Sequence, residues 1–96
     1  MRRWSVNLGW AIELTDDAVR QLEKLGRPEA KRIRAYLRGK VASLDSPRLI
    51  GRGLTGSAFG HLWRYRVGDY RILCELRDKQ LVVLVVEVGH RSRVYK

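Results

Sequence analysis

Arg64, Arg66 and Arg71 lie within a segment, LWRYRVGDYRILCEL, patterned as a strand, a tight turn and a second strand. Leu62–Val67 alternates strictly, with Trp63, Tyr65 and Val67 to one side and Arg64 and Arg66 to the other. That is the period of a half-buried strand. Gly68-Asp69 follows as a two-residue loop with glycine first, as a type II′ turn requires. Such a loop sets the register: Val67 faces Tyr70, Arg66 faces Arg71, Tyr65 faces Ile72 and Arg64 faces Leu73. Three arginines then share one surface, and two of them oppose each other directly. Like charges opposite one another destabilise a sheet. An arrangement that costs stability points to a missing anion, and the guanidinium fork is matched to phosphate. The ordinary alternative, a solvated basic face, does not account for the opposition of Arg66 and Arg71. On this reading Arg71→Ala relieves a repulsion and leaves the fold unweakened.

Other basic residues extend the pattern. The connection Asp45–Gly60 is rich in glycine, carries no acid after Asp45, and contributes Arg48 and Arg52 to a phosphate-binding set. Its spacing matches no P-loop and it lacks the lysine such a loop uses, so a plain connecting loop is expected there. Lys31, Arg34 and Arg38 line one face of a predicted helix and would suit an acidic partner. The chain of 96 residues carries a formal charge of +10, which directs attention to nucleic acid, an acidic protein or an anionic surface. A hydrophobic fraction of 45% fits one globular domain over residues 1–96. The longest apolar run, Leu81–Val86, ends at Glu87, too short for a membrane span. Asn7, Gly9 and Glu13 interrupt anything like a secretory signal behind Met1-Arg2-Arg3. Cys74 is the only cysteine, on the apolar side of its strand, where a buried thiol in a reducing cytoplasm is expected. There is no clustered metal-ligand spacing, and no cofactor is expected.

The elements that must position these residues follow from periodicity and punctuation. Residues 1–9 have no period and read as a loosely attached arm, and Trp10–Leu14 as a short strand. Thr15 is placed to cap a helix, with Asp16 and Asp17 in its first turn, Ala18, Val19, Leu22 and Leu25 as its apolar stripe, and Gly26 at its end. Pro28 opens a second helix whose stripe is Ala30, Ile33, Leu37, Val41 and Leu44. After the loop come the hairpin strands, Tyr70–Arg77 among them, then a tight turn at Asp78-Lys79 and a strand over Gln80–Val88. The order β-α-α-β-β-β predicts an α+β fold, an antiparallel sheet with two helices packed on one face.

This order, with WRYRVGDYRILCEL, an apolar strand and then VGHRSRVY, resembles the RelE/ParE superfamily of bacterial toxins from about Ala11 to Tyr95. The stretch from Leu44 through Arg48 to Leu54-Thr55-Gly56 is similar too. The resemblance implies a toxin neutralised by a cognate acidic antitoxin. RelE-like members are metal-independent endoribonucleases, most of which cut mRNA in the ribosomal A site. ParE-like members share the fold, inhibit DNA gyrase and generally lack the catalytic set. Carried over residue by residue, the two basic residues of the first hairpin strand fall on Arg64 and Arg66 and the phosphate-binding arginine on Arg71. The arginine after the last strand falls on Arg91 and the terminal tyrosine on Tyr95.

One departure bears on mechanism. RelE-like toxins offer lysines where this chain has Arg64 and Arg66, and arginine does not give up its proton. A general base must therefore come from elsewhere: His90 is one candidate and Glu87 a weaker one. Adjacent residues of an extended chain point to opposite faces, which sets His90 against Arg91. The leading expectation is a cytoplasmic endoribonuclease toxin acting on mRNA and ribosomal RNA. The alternatives are a gyrase-directed toxin and a basic nucleic-acid-binding module without activity.

Overall fold

A computed structural model describes residues 2–4, 9–43, 46–56 and 60–93, with the backbone alone for residues 2–4. Thr15 is extended, and its hydroxyl accepts a hydrogen bond from the Ala18 N–H at 3.1 Å, satisfying one free donor of helix α1, Asp16–Lys24. Asp16 and Asp17 sit at the positive end of its dipole, and Ala18 and Leu22 are buried. Gly26 takes φ +88°, a turn that glycine makes without strain, and α2, Arg27–Tyr36, begins with Pro28 in its first turn. The expected stripe holds through Ile33, Leu37 and Val41, all fully buried. The helix ends in one π turn, Leu37–Val41, where the Ala42 N–H donates to the Leu37 carbonyl at 2.9 Å. The wider turn brings Val41 and Ala42 both into the core. Leu44, the expected last member of the stripe, lies outside the described residues.

Among the described residues six strands form one sheet: β1 Arg2–Trp4, β2 Ala11–Leu14, β3 Arg52–Gly53, β4 Trp63–Val67, β5 Tyr70–Arg77 and β6 Val82–His90. Their order is β1-β2-β6-β5-β4-β3. The α+β class and the two helices on one face agree with the sequence. Ile12, Leu14, Tyr65, Val67, Ile72, Cys74, Val83, Val85 and Val88 meet the buried residues of the helices in one core.

The expected antiparallel sheet needs correction. β2 and β6 run parallel, with Ile12 beside Val83 and Leu14 beside Val85, so the sheet is mixed. Two further strands are present. Part of the supposed loose arm is β1, antiparallel to β2, and part of the supposed loop is β3, antiparallel to β4. The turn after β5 is longer than Asp78-Lys79: a 3₁₀ turn over Asp78–Gln80 is followed by Leu81 at φ +54°. The four residues Val82–Val85 are all buried, as expected of an interior strand covered on both faces. A bulge between Leu73 and Cys74 pairs Leu73 with Glu87 and Cys74 with Val85, and keeps Val83, Val85 and Val88 on the helix side.

Candidate functional site

The β4–β5 pairing is the one the turn chemistry predicts: Val67 opposite Tyr70, Arg66 opposite Arg71, Tyr65 opposite Ile72, Arg64 opposite Leu73. Gly68 takes φ +59° and Asp69 does not share the positive φ, as in a type II′ turn. Because Tyr65, Val67, Ile72 and Cys74 face the helices, Arg64, Arg66 and Arg71 face away from them. β3 sets Arg52 opposite Arg64, on the same outer face. Two rows of paired residues result, Arg52–Arg64–Leu73–Glu87 and Arg66–Arg71–Gly89. Gly89 puts no side chain beside Arg71, so the second row is open on that flank. Glu87, half-buried, is the acid nearest to the group along β6.

Arg71 is not the open arginine that the strand pattern suggests. It is 9% exposed, and its Nη1 donates to the carbonyls of Gly68 at 3.2 Å and Tyr70 at 3.1 Å. The guanidinium is thus fastened to the turn it follows. The expectation that truncating it leaves the fold unweakened fails, because two bonds to a charged donor would go with it. Arg66 and Arg52 are exposed, while Arg64 is half-buried with its Nε out of water and without a hydrogen-bond partner among the described residues.

The remaining candidates divide. The Arg91 N–H donates to the Asp69 carbonyl at 2.8 Å, which holds the segment after β6 against the hairpin turn. Tyr95 lies outside the described residues. His90 pairs with Tyr70, and their rings meet edge to face at 5.9 Å, on the side opposite Arg71. Its Nδ1 accepts from the Ser92 N–H at 3.2 Å and lies 2.9 Å from the Ser92 hydroxyl. The lone pair a general base would use is engaged, and His90 does not join the arginines. Arg48 is also elsewhere: it makes a two-pronged ion pair with Asp78 at 2.7 and 3.0 Å and lies 6.0 Å over the Trp63 ring, on the helix side. That hydrogen-bonded pairing raises the Arg48 pKa and lowers that of Asp78. Lys31, Arg34 and Arg38 are exposed on the helical layer, apart from the outer sheet face.

The loop that carries Arg52 is tied down by residues of β4. The Tyr65 hydroxyl donates to the Pro47 carbonyl at 2.5 Å, and Trp63 Nε1 to the Ile50 carbonyl at 2.9 Å. Burial pushes the phenols of Tyr65 and Tyr36 above the usual tyrosine range, so both are neutral donors. Two residues absent from the sequence reading approach this region. Arg32 of α2 reaches over the hairpin turn, where a Cβ on Gly68 would lie 2.8 Å from its guanidinium. Tyr36 packs edge to face on Tyr65 at 6.3 Å and lines a pocket with Gly51, Arg52, Arg64 and Arg66. Neither is marked by local spacing, since both come together with the sheet only through the packing of α2 on β4.

Residues 12–95 match the family model of the ParE toxin of the type II toxin–antitoxin system parDE. The mRNA interferase toxin RelE of Escherichia coli K12 is 27% identical over 86 residues, covering 90% of this chain and 87% of that protein. The fold is shared with the toxin–antitoxin complex RelBE2 of Mycobacterium tuberculosis, at a TM-score of 0.78 and 24% identity over 88% of this chain and 94% of that one. A free E. coli RelE carrying two arginine substitutions has a TM-score of 0.72 and 21% identity, over 91% and 88% of the two chains. With the family model spanning both helices and the arginine face, this chain belongs to the ParE toxin family of type II toxin–antitoxin systems, within the RelE/ParE superfamily.

Proposed function

We propose that this toxin is a RelE-like endoribonuclease that cuts mRNA at the ribosomal A site, in the cytoplasm, and is silenced by an acidic antitoxin. The observation that carries the reading is the directly opposed pair Arg66 and Arg71, with Arg64 on the same face and Arg71 fastened to the turn. In such a reaction the 2′-hydroxyl gives up its proton as its oxygen bonds to the adjacent phosphorus, and the bond from phosphorus to the 5′-oxygen breaks as that oxygen takes up a proton. Charge accumulates on the non-bridging oxygens of the phosphorane. Permanently charged donors already held in place stabilise that charge at the moment it forms. Arg64, Arg66 and Arg71 act as this clamp. Arg91, fixed beside the turn through its backbone, supplies a further cation, and Tyr95 a ring on which a base stacks. The likeness to the E. coli mRNA interferase toxin RelE supports the same reaction. A gyrase-directed toxin needs no such clamp and is not favoured. The exposed stripe Lys31, Arg34 and Arg38 suits the antitoxin.

The test separates chemistry from folding. Arg66 is exposed and opposes a like charge, so Arg66→Ala should melt no lower than the wild type. It should nonetheless lose cleavage by on the order of a hundredfold or more. Arg20→Ala, on α1, should change neither. Cleavage should also persist with a chelator at a level that leaves the ribosome intact, because a cationic face repels a metal ion. A folded Arg66→Ala protein that still arrests growth, with intact mRNA and altered DNA supercoiling, would overturn the reading in favour of gyrase.

A further inference from the structure

The short strand β3 meets β4 at only two positions, Arg52 with Arg64 and Gly53 with Trp63. Beyond Arg64 the chain leaves β4, so Tyr65–Val67 have no partner on that side among the described residues. A pocket of about 220 Å³ opens there, lined by Tyr36, Gly51, Arg52, Arg64 and Arg66. Three guanidinium-bearing residues and a phenol line it, and no acid among the described residues does. None of these three arginines makes an ion pair with a described residue, and the Nε of Arg64 is buried without a partner. Small-molecule sites generally start near 300 Å³, so the pocket suits one anionic group and not a whole nucleotide.

Position identifies the occupant. Arg66 lines this pocket and also opposes Arg71, so the pocket borders the clamp. Adjacent strands are about 4.8 Å apart, so the pocket between β3 and β4 lies about one strand spacing from the clamp between β4 and β5. Successive phosphates of one RNA strand bridge a step of that size. We infer that Arg52 and Tyr36, beside Arg64 and Arg66 of the clamp, form a second phosphate subsite, which holds the RNA phosphate next to the one being cleaved. The occupied clamp rests on the ribonuclease reading; the pocket itself does not. Arg52 and Tyr36 act in binding and register, while the groups around Arg71 act on the reacting phosphorus. The neutral Tyr36 hydroxyl donates to the anion without charge repulsion from it.

The experiment measures affinity for 2′-O-methyl RNAs, which cannot be cleaved because the attacking oxygen is blocked. A dinucleotide carries one phosphate and a trinucleotide two. In the wild type the second phosphate should tighten binding about tenfold, the loss of one charge-assisted contact being of that size. Arg52→Gln should reduce that increment to less than about twofold while leaving dinucleotide affinity within about twofold. Tyr36→Phe keeps the ring that packs on Tyr65 and should reduce the increment by a smaller factor. On a cleavable RNA, Arg52→Gln should raise KM by more than it lowers kcat. Inorganic phosphate at millimolar level should remove the trinucleotide's advantage only if a free anion fills the pocket; the RNA phosphate should hold against it. An unchanged increment in Arg52→Gln, or equal weakening of both RNAs, would overturn the subsite. No cleavage of mRNA on programmed ribosomes by a wild type that shows the increment would overturn the ribonuclease reading and leave the subsite standing.

Discussion

A guanidinium bonded to two turn carbonyls and shielded from water has little freedom left to lose, and Arg71 is held in this way, as the proposed clamp on phosphate would need. Preorganisation of that kind is what a charge clamp requires. It also joins Arg71 to stability: Arg71→Ala should cost about 1–3 kcal/mol in urea unfolding, whereas Arg66→Ala should cost nothing measurable. Tyr65 makes the corresponding link for the loop. Tyr65→Phe keeps the core ring but leaves the Pro47 carbonyl without its 2.5 Å donor, and should also cost about 1–3 kcal/mol by the same measurement. An unchanged unfolding midpoint would mean that the loop is held by Trp63 and Ile50 alone. The opposition of Arg66 and Arg71 was legible in the sequence because a two-residue turn leaves no freedom of register. The fates of Arg48 and His90 were not, because each is decided by a partner. For Arg48 that partner is thirty residues away, at Asp78; for His90 it is a backbone N–H whose direction depends on how the chain leaves β6.

At the scale of elements, β3 shows where pattern reading stops. Two residues cannot display an alternation, so Arg52 read as part of a loop although it completes a row with Arg64. The direction of β2 against β6 is equally invisible locally, since a parallel and an antiparallel neighbour ask for the same apolar residues at the same period. The helices were legible because capping, proline and stripe all agreed. Gly51 is what lets the loop lie against β4. A Cβ there would sit 2.5 Å from the Arg64 carbonyl and 2.6 Å from Trp63 Nε1, and the residue holds φ +83°. Gly51→Ala should therefore destabilise by about 2–4 kcal/mol and weaken RNA binding as Arg52 shifts. A melting curve that overlays the wild type would contradict this. At the far end of the loop, Arg48 and Asp78 join it to the β5–β6 turn. The Asp78 carboxyl is held below its ordinary pKa by Arg48, so the pair's contribution is present above the unfolded value and lost as pH falls through the folded one. The melting difference between wild type and Asp78→Asn should hold near neutrality and close in acid below the ordinary aspartate range. A difference that persists there would assign the effect to something other than the ion pair.

The molecule as a whole carries +10, spread over both layers: arginines on the outer sheet face, and Lys31, Arg34 and Arg38 over the helices. A field of one sign draws an acidic partner from any approach, so association with the antitoxin should be fast at low salt and slow steeply as salt rises. Stopped-flow rates that stay level from low to high ionic strength would show that contact shape, and not charge, governs the encounter. The place of β6 has a further consequence. It is the last strand of the chain and lies between β2 and β5, yet every other strand precedes it in the sequence. A nascent polypeptide that has not yet reached Val82 has β2 and β5 but nothing to join them, and it lacks Arg91 altogether. The sheet is therefore closed only when β6 has been made, after every other described strand. A chain interrupted before Val82 lacks the strand that β2 and β5 both pair with, and should show no cooperative melting transition.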